Sequence, residues 1–216
     1  MTVSASGRAD LPLRDLPLHV VVASRNAGKA AELRRLLRAV SWRLLEIDQA
    51  PGGHEIEWVE DGTTYLENAT IKAQAVSKGT GLPALADDSG IEVAALDGWP
   101  GIHTARWMGE GATSTDLLRG LTKRVADLPE DQRRATFVCA LAFVLPAAGA
   151  EAAMIVTESR LDGTLVTKPR GRSGFGYDPI FIPTGEQRTM AEMSRAHKDE
   201  ISHRAMAARQ LLAKLP

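Results

Sequence analysis

Two adjacent carboxylates, Asp87 and Asp88, follow an apolar run and precede Ser89-Gly90. If strand geometry holds, neighbouring side chains point to opposite sides. One acid can then face a cleft while the other braces the protein. A carboxylate in a cleft can hold Mg2+ or accept a proton from water. The competing reading is an Asx-turn with solvated acids. Upstream stands Ser24-Arg25-Asn26-Ala27-Gly28-Lys29. A glycine turn entering a helix offers backbone N–H groups to a phosphate, and Lys29 adds a cation. The string is not a Walker A loop, because the first glycine is missing and Ala30 stands where Ser or Thr would meet magnesium. Read alone, it also fits an ordinary Asn-capped helix.

Glu55, Glu57, Glu60 and Asp61 precede a helix start, where negative charge is favoured in any case. One of them meeting Asp88 across a cleft would make a magnesium site, since Mg2+ often uses one or two carboxylates plus substrate phosphates. Downstream, the glycines of Gly174-Phe175-Gly176-Tyr177-Asp178-Pro179 let a loop lie flat against a planar ligand. Phe175 could stack on a base and Asp178 could accept from a purine N1–H. The competing reading is a turn whose aromatics seal the core. Near the C-terminus, Lys198 and Ser202-His203-Arg204 gather donors. The paired N–H groups of Arg204 match a purine O6 and N7. A basic first helical turn opposes the helix dipole, and an anionic ligand would make sense of it.

The elements that must position these residues read as an α/β domain with a mixed sheet. His19–Ala23 is a buried strand. The helix after Gly28 carries Leu33, Leu36, Leu37 and Val40 on one face. A second strand covers 42–47, and 48–62 is a loop. Thr64-Tyr-Leu-Glu67 is a capping box opening a helix to about Lys78, with Asn68 and Lys72 on one face. A short strand at 82–86 leads into the Asp-Asp-Ser-Gly turn, and 91–96 continues extended. A helix at 115–125, strands at 134–145 and 151–160 with a turn at 146–150, a basic loop at 168–178, a strand at 180–182 and a helix from Ser202 complete the chain. Residues 1–18 read as a flexible N-terminal extension without the apolar core of a signal peptide. Residues 19–216 read as one domain.

Bulk properties exclude several classes. Hydrophobic residues make up 44% and charged residues 25%, which is ordinary for a globular protein. No apolar run approaches the ~20 residues needed to span a bilayer. The formal net charge of −1 argues against a nucleic-acid groove. The lone Cys139 sits in an apolar stretch and reads as a core residue in a reducing cytoplasm.

The order of the motifs adds what none carries alone. Ser-x-Asn-x-x-Lys, Thr-Tyr-x-Glu-Asn-Ala-x-x-Lys-Ala, Ala-Asp-Asp-Ser-Gly, Pro-Gly-Ile-x-x-Ala-Arg, Gly-Phe-Gly-Tyr-Asp-Pro-Ile-Phe and Lys-x-x-Ile-Ser-His-Arg follow one another between residues 19 and 215. Together they resemble the noncanonical purine NTP pyrophosphatase family, the Ham1-type inosine/xanthosine triphosphatases. The resemblance implies an elongated mixed central sheet flanked by helices, with two lobes and the nucleotide in the cleft between them. It also implies Mg2+ dependence, a homodimer, and hydrolysis of ITP, dITP and XTP to the monophosphate and pyrophosphate. By this resemblance Asp88 is the proton acceptor and a magnesium ligand, with Glu60 the second metal-linked acid. Ser24, Arg25, Asn26, Ala27, Gly28 and Lys29 hold the triphosphate, with Lys72 facing the phosphates. Ser89, Phe175, Gly176, Tyr177, Asp178, Lys198, His203 and Arg204 meet the rest of the substrate. Arg25 departs from the small residue common in the family.

Selectivity follows from hydrogen-bond polarity. Hypoxanthine and xanthine present O6 as an acceptor and N1–H as a donor, and adenine reverses both. A mismatched buried pair is costly. Guanine shares both groups, and no residue identifies itself as rejecting its 2-amino group. Two alternatives remain open: a pyrimidine or septum-inhibitor-like nucleotide pyrophosphatase, and a non-catalytic nucleotide sensor.

Overall fold

His19–Ala23 forms the buried strand β1, as its run of β-branched residues predicts. The computed structural model describes residues 12–109, 111–146 and 153–216. From β1 the chain turns into α1 (Ala27–Leu36) and returns as β2 (Arg43–Glu46), parallel to β1. α2 (Tyr65–Thr80) opens on the expected capping box, in which the Thr64 side chain accepts from the Glu67 N–H and the Glu67 carboxylate accepts from the Thr64 N–H. Gly81, at φ +69, closes it in the left-handed conformation. Gly79 lies inside the helix, which therefore runs past the expected end.

β3 (Ala84–Val93) pairs parallel with β1. After α3 (Ser114–Ala126) comes β4 (Arg134–Val144), which pairs antiparallel with β3 from Ala84↔Val144 to Val93↔Ala135. This corrects the expected turn at Asp87-Asp88-Ser89-Gly90. Every residue of that segment has a partner on β4, so the ladder carries the polar residues straight through the sheet. β5 (Met154–Leu165) continues antiparallel and runs five residues beyond its expected end, and β6 (Phe181–Pro183) forms the edge. The expected turn at 146–150 lies, from residue 147 on, outside the described residues. The order β2-β1-β3-β4-β5-β6 is the expected mixed sheet. α4 (Arg195–Ile201) was not expected, because its seven residues carry no clear apolar stripe; α5 (His203–Lys214) follows it with Ser202 as N-cap.

The pleat sorts the core into two layers. Leu85, Cys139, Leu141 and Phe143 face α1 and α5, where Leu33, Leu37, Ala208 and Leu211 pack and Trp42 stacks on Phe143. Ala84, Ala86, Val138, Ala140 and Ala142 face α2, which answers with Ala69, Ala73 and Val76. The small residues on that face let α2 approach closely. A third cluster around Ile91, Leu121, Val125 and Phe181 covers the far end of the long strands beneath α3. Residues 12–18 do not behave as a loose extension. The Leu13 N–H donates to the Pro216 carbonyl at 2.8 Å, the Trp42 indole N–H donates to the Leu13 carbonyl at 2.9 Å, and Leu13 and Leu18 pack on the first core layer. Residues 1–11 lie outside the described residues. No described helix is long and apolar enough to cross a membrane.

Candidate active site

The strand pleat sends Asp87 and Asp88 to opposite faces of β3, and the two live in different surroundings. Asp87 faces α1 and α5. It accepts from Arg204 Nε at 2.7 Å, Ser89 Oγ at 2.9 Å and Cys139 Sγ at 3.1 Å, and Lys29 Nζ lies 2.7 Å away. Burial disfavours its charge, yet Arg204 and Lys29 outweigh burial and hold its pKa well below the usual carboxylate range. Asp88 faces α2, where Lys72 Nζ donates to it at 2.7 Å. Here burial outweighs Lys72 and Lys29, and the pKa rises above the ordinary value. A carboxylate of raised proton affinity is the better proton acceptor of the pair.

Lys72 also meets Glu60 Oε1 at 3.0 Å, so it bridges the two acids singled out for metal binding. Burial opposes the charge on Glu60, but Lys72 and Arg106 hold its pKa below the ordinary value. The Asn68 amide oxygen accepts from the Gly62 N–H at 3.0 Å, fastening the loop that carries Glu60 to the helix that carries Lys72. Among the described residues no three His, Cys, Asp or Glu side chains gather around one point suited to a metal. Two hard carboxylates at one lysine nevertheless fit Mg2+, which completes its shell with water and phosphate oxygens.

Beside this cluster opens a cavity. Ten of the expected site residues line it: Asn26, Lys29, Ser89, Phe175, Gly176, Tyr177, Asp178, Lys198, His203 and Arg204. The Phe-Gly-Tyr-Asp loop is braced from within. Asp178 Oδ2 accepts from the Phe175 N–H at 2.8 Å and from Lys198 Nζ at 2.6 Å. Tyr177 Oη donates to the Thr104 carbonyl and accepts from the Trp107 indole N–H, each at 2.9 Å. His203 stacks on Phe137 at 4.7 Å, and its buried Nδ1 has no hydrogen-bond partner among the described residues. Burial and the neighbouring Arg204 hold its pKa well below the ordinary value, so the ring is neutral at physiological pH. Lys29 joins the two regions, because it lines the cavity and its charge acts on Asp88.

Several expected residues sit elsewhere. Ser24, Arg25 and Ala27 line a separate groove with Glu46 and Asp48. The Arg25 side chain turns away to donate to the Ile56 carbonyl and to lie over Trp58. The Asn26 side chain accepts from the Gly28 and Lys29 N–H groups, occupying the amides that the phosphate reading needs. Gly28 lies behind Phe175, where a Cβ would come within 2.8 Å of the ring. Arg204 is not a free reader of a base: its donors engage Asp87, Glu32 and the Ser89 hydroxyl. Two participants had no role assigned from the sequence, Glu32 and the Arg106 of the Pro-Gly-Ile-x-x-Ala-Arg motif. Glu32 is buried and pairs with both Arg204 and Lys198; being the sole acid in a helix with Lys29, Arg34 and Arg35 was its one signal. Arg106 binds Glu60 at 2.8 Å.

Comparison with known proteins gives the family. The model of the Ham1 family matches residues 20–214. A dITP/XTP pyrophosphatase of Frankia alni is 48% identical over 201 residues, spanning 90% of this chain and 95% of the relative. A HAM1 protein from Coxiella burnetii, of solved structure, aligns with a TM-score of 0.77 at 36% identity, over 91% of this chain and 97% of that one. A nucleoside-triphosphatase / dITP/XTP pyrophosphatase from Mycobacterium abscessus gives a TM-score of 0.70 at 41% identity, over 90% and 99%. Agreement in sequence and in sheet along nearly the whole chain means that this protein belongs to the Ham1 family.

Proposed function

We propose that the protein hydrolyses the noncanonical purine nucleoside triphosphates ITP, dITP and XTP to the monophosphate and pyrophosphate, removing them from the nucleotide pool. The observation that carries this reading is Lys29, which lines the cavity beside Phe175 and His203 and also acts on the carboxylate cluster at Asp88. A nucleotide lying in a cleft between two lobes, with its base in the cavity, would set its triphosphate along Lys29 toward Lys72.

Asp88 takes the proton of the water that attacks the α-phosphorus, and pyrophosphate departs. Burial suits Asp88 to this role by raising its proton affinity. Lys29 and Lys72 balance charge along the triphosphate. Asp88 and Glu60 would hold Mg2+, which when bound supplies further positive charge at the phosphates. Phe175 stacks on the base, and the unpartnered Nδ1 of the neutral His203 offers a hydrogen bond to it. Gly176, Tyr177, Asp178, Lys198 and Ser89 form the remaining wall. Arg204 holds that wall in place through Ser89 and Asp87. The reading includes a homodimer, a cytoplasmic location and no nucleic-acid partner.

Incubation with Mg2+ and a panel of ITP, XTP, dITP, GTP, ATP and UTP, followed by pyrophosphate release, tests it. Release confined to ITP, XTP and dITP is expected. Release chiefly from UTP, or binding without turnover, overturns the reading.

A further inference from the structure

The loop Pro100-Gly101-Ile102-His103-Thr104-Ala105-Arg106 adds one more charge to the carboxylate cluster. Arg106 Nη1 donates to Glu60 Oε2 at 2.8 Å, and Nη2 reaches the Glu60 carbonyl at 3.3 Å. The other Glu60 oxygen takes Lys72 at 3.0 Å, and Lys72 takes Asp88 at 2.7 Å. Two acids and two cations therefore cancel. A divalent cation binding between Glu60 and Asp88 would upset that balance by two positive charges, and the nearest cation able to leave is the one it repels. Lys72 cannot leave, since its side chain is only 6% exposed between the two acids. Arg106 can, since its side chain is 41% exposed.

A guanidinium leaving Glu60 has a suitable destination close by. Thr104 and Ala105, the two residues before it, line the cavity, and a guanidinium fork matches phosphate oxygens better than it matches any other small anion except a carboxylate. We propose that Arg106 is a triphosphate-binding residue held in reserve on Glu60, which passes from carboxylate to phosphate when a divalent cation takes Glu60. The proposal rests on the nucleotide reading of this cavity. It gives the Pro-Gly-Ile-x-x-Ala-Arg motif a physical role. The motif delivers a cation that competes with the metal when the site is empty and helps hold the substrate when it is full.

Competition gives a signature that a simple clamp lacks. In Arg106→Ala, Glu60 loses a rival for the metal, so Mn2+ should bind the nucleotide-free full-length protein about two- to fivefold more tightly, the worth of a partly exposed ion pair. The same variant should raise KM for dITP about tenfold while kcat stays within about threefold, as expected for a lost charge-assisted phosphate contact. Arg106→Lys keeps the charge without the fork and should fall between. Free Mn2+ measured by electron paramagnetic resonance reads the first quantity, and steady-state pyrophosphate release at saturating Mg2+ reads the second. If Arg106 merely steadied Glu60, its loss would weaken Mn2+ binding. Mn2+ affinity in Arg106→Ala equal to or below wild type, or an unchanged KM, overturns the proposal. Should the wild type release no pyrophosphate from dITP, the functional reading fails, and the Mn2+ titration still decides whether Arg106 competes with the metal.

Discussion

At the scale of residues, the pair Asp87 and Asp88 shows how a single step along a strand changes a carboxylate's chemistry. Asp87 is saturated by Arg204, Lys29, Ser89 and Cys139, and its pKa is driven down. It is an anchor with no lone pair left over for a substrate. Among the described residues the Asp88 carboxylate has Lys72 as its one hydrogen-bond partner, and its pKa is raised, so it remains able to take a proton. Asp88→Asn removes the acceptor and keeps the shape; turnover should fall about 10²- to 10⁴-fold, the usual worth of a positioned general base, with the fold retained by circular dichroism. Unchanged turnover would reject the assignment. The pH dependence has a definite sign. The base works only when deprotonated, and burial raises its pKa above that of an ordinary aspartate, so kcat/KM should rise with pH through an acid limb that lies above an ordinary aspartate's. That limb should vanish from the residual activity of Asp88→Asn. His203 does not supply the limb, because burial keeps it neutral.

At the scale of elements, β3 is the part on which the site depends. It carries Asp87, Asp88 and Ser89 along β4, directly after its last pairing with β1 at Ala86. Rigid pairing fixes the two faces, and α1 and α2 bring Lys29 and Lys72 to one acid each. Gly90 is the tight point. A Cβ there would lie 2.5 Å from the Gly101 carbonyl and 2.8 Å from Tyr65 Oη. The loop that carries Thr104, Ala105 and Arg106 therefore rests directly on the strand. Gly90→Ala should cost about 1–3 kcal/mol through overpacking, measured by urea unfolding. It should also raise KM, because relief of the clash moves that loop away from the cavity. A variant as stable and as active as wild type would show that the loop does not depend on this contact.

At the scale of the whole molecule, the first described residues meet the C-terminal residue. Residues 12–18 lie against Pro216, Trp42 and the first core layer, and none of them lines the cavity. Removal of residues 1–18 would leave the buried Trp42 indole N–H without its acceptor, a loss of about 1–3 kcal/mol. Each kcal/mol should lower Tm by roughly 2–4 °C in a domain of this size. Calorimetry should show the drop, and kcat for dITP at 25 °C should stay near wild type. An unchanged Tm would mean that the segment adds nothing to stability.

What the sequence determined by itself was local and periodic. The valine run of β1, the Thr64–Glu67 capping box and the alternation of strands and helices all depend on neighbouring residues, and all stand in the structure. The motif order was legible for the same reason, since it is a property of the chain as a line. Tertiary structure decided whatever depends on partners distant along that line. Asp87-Asp88-Ser89-Gly90 reads as a turn by composition and is strand because β4 pairs with every residue of it. Arg204 reads as a free donor and is spent on Asp87 and Glu32, which lie 117 and 172 residues away. Glu60, Lys72, Asp88 and Arg106 become one cluster only when α2 packs on the sheet and the loop after β3 folds back over it. Burial then sets which carboxylate is an anchor and which a base, because desolvation depends on what surrounds a group in space.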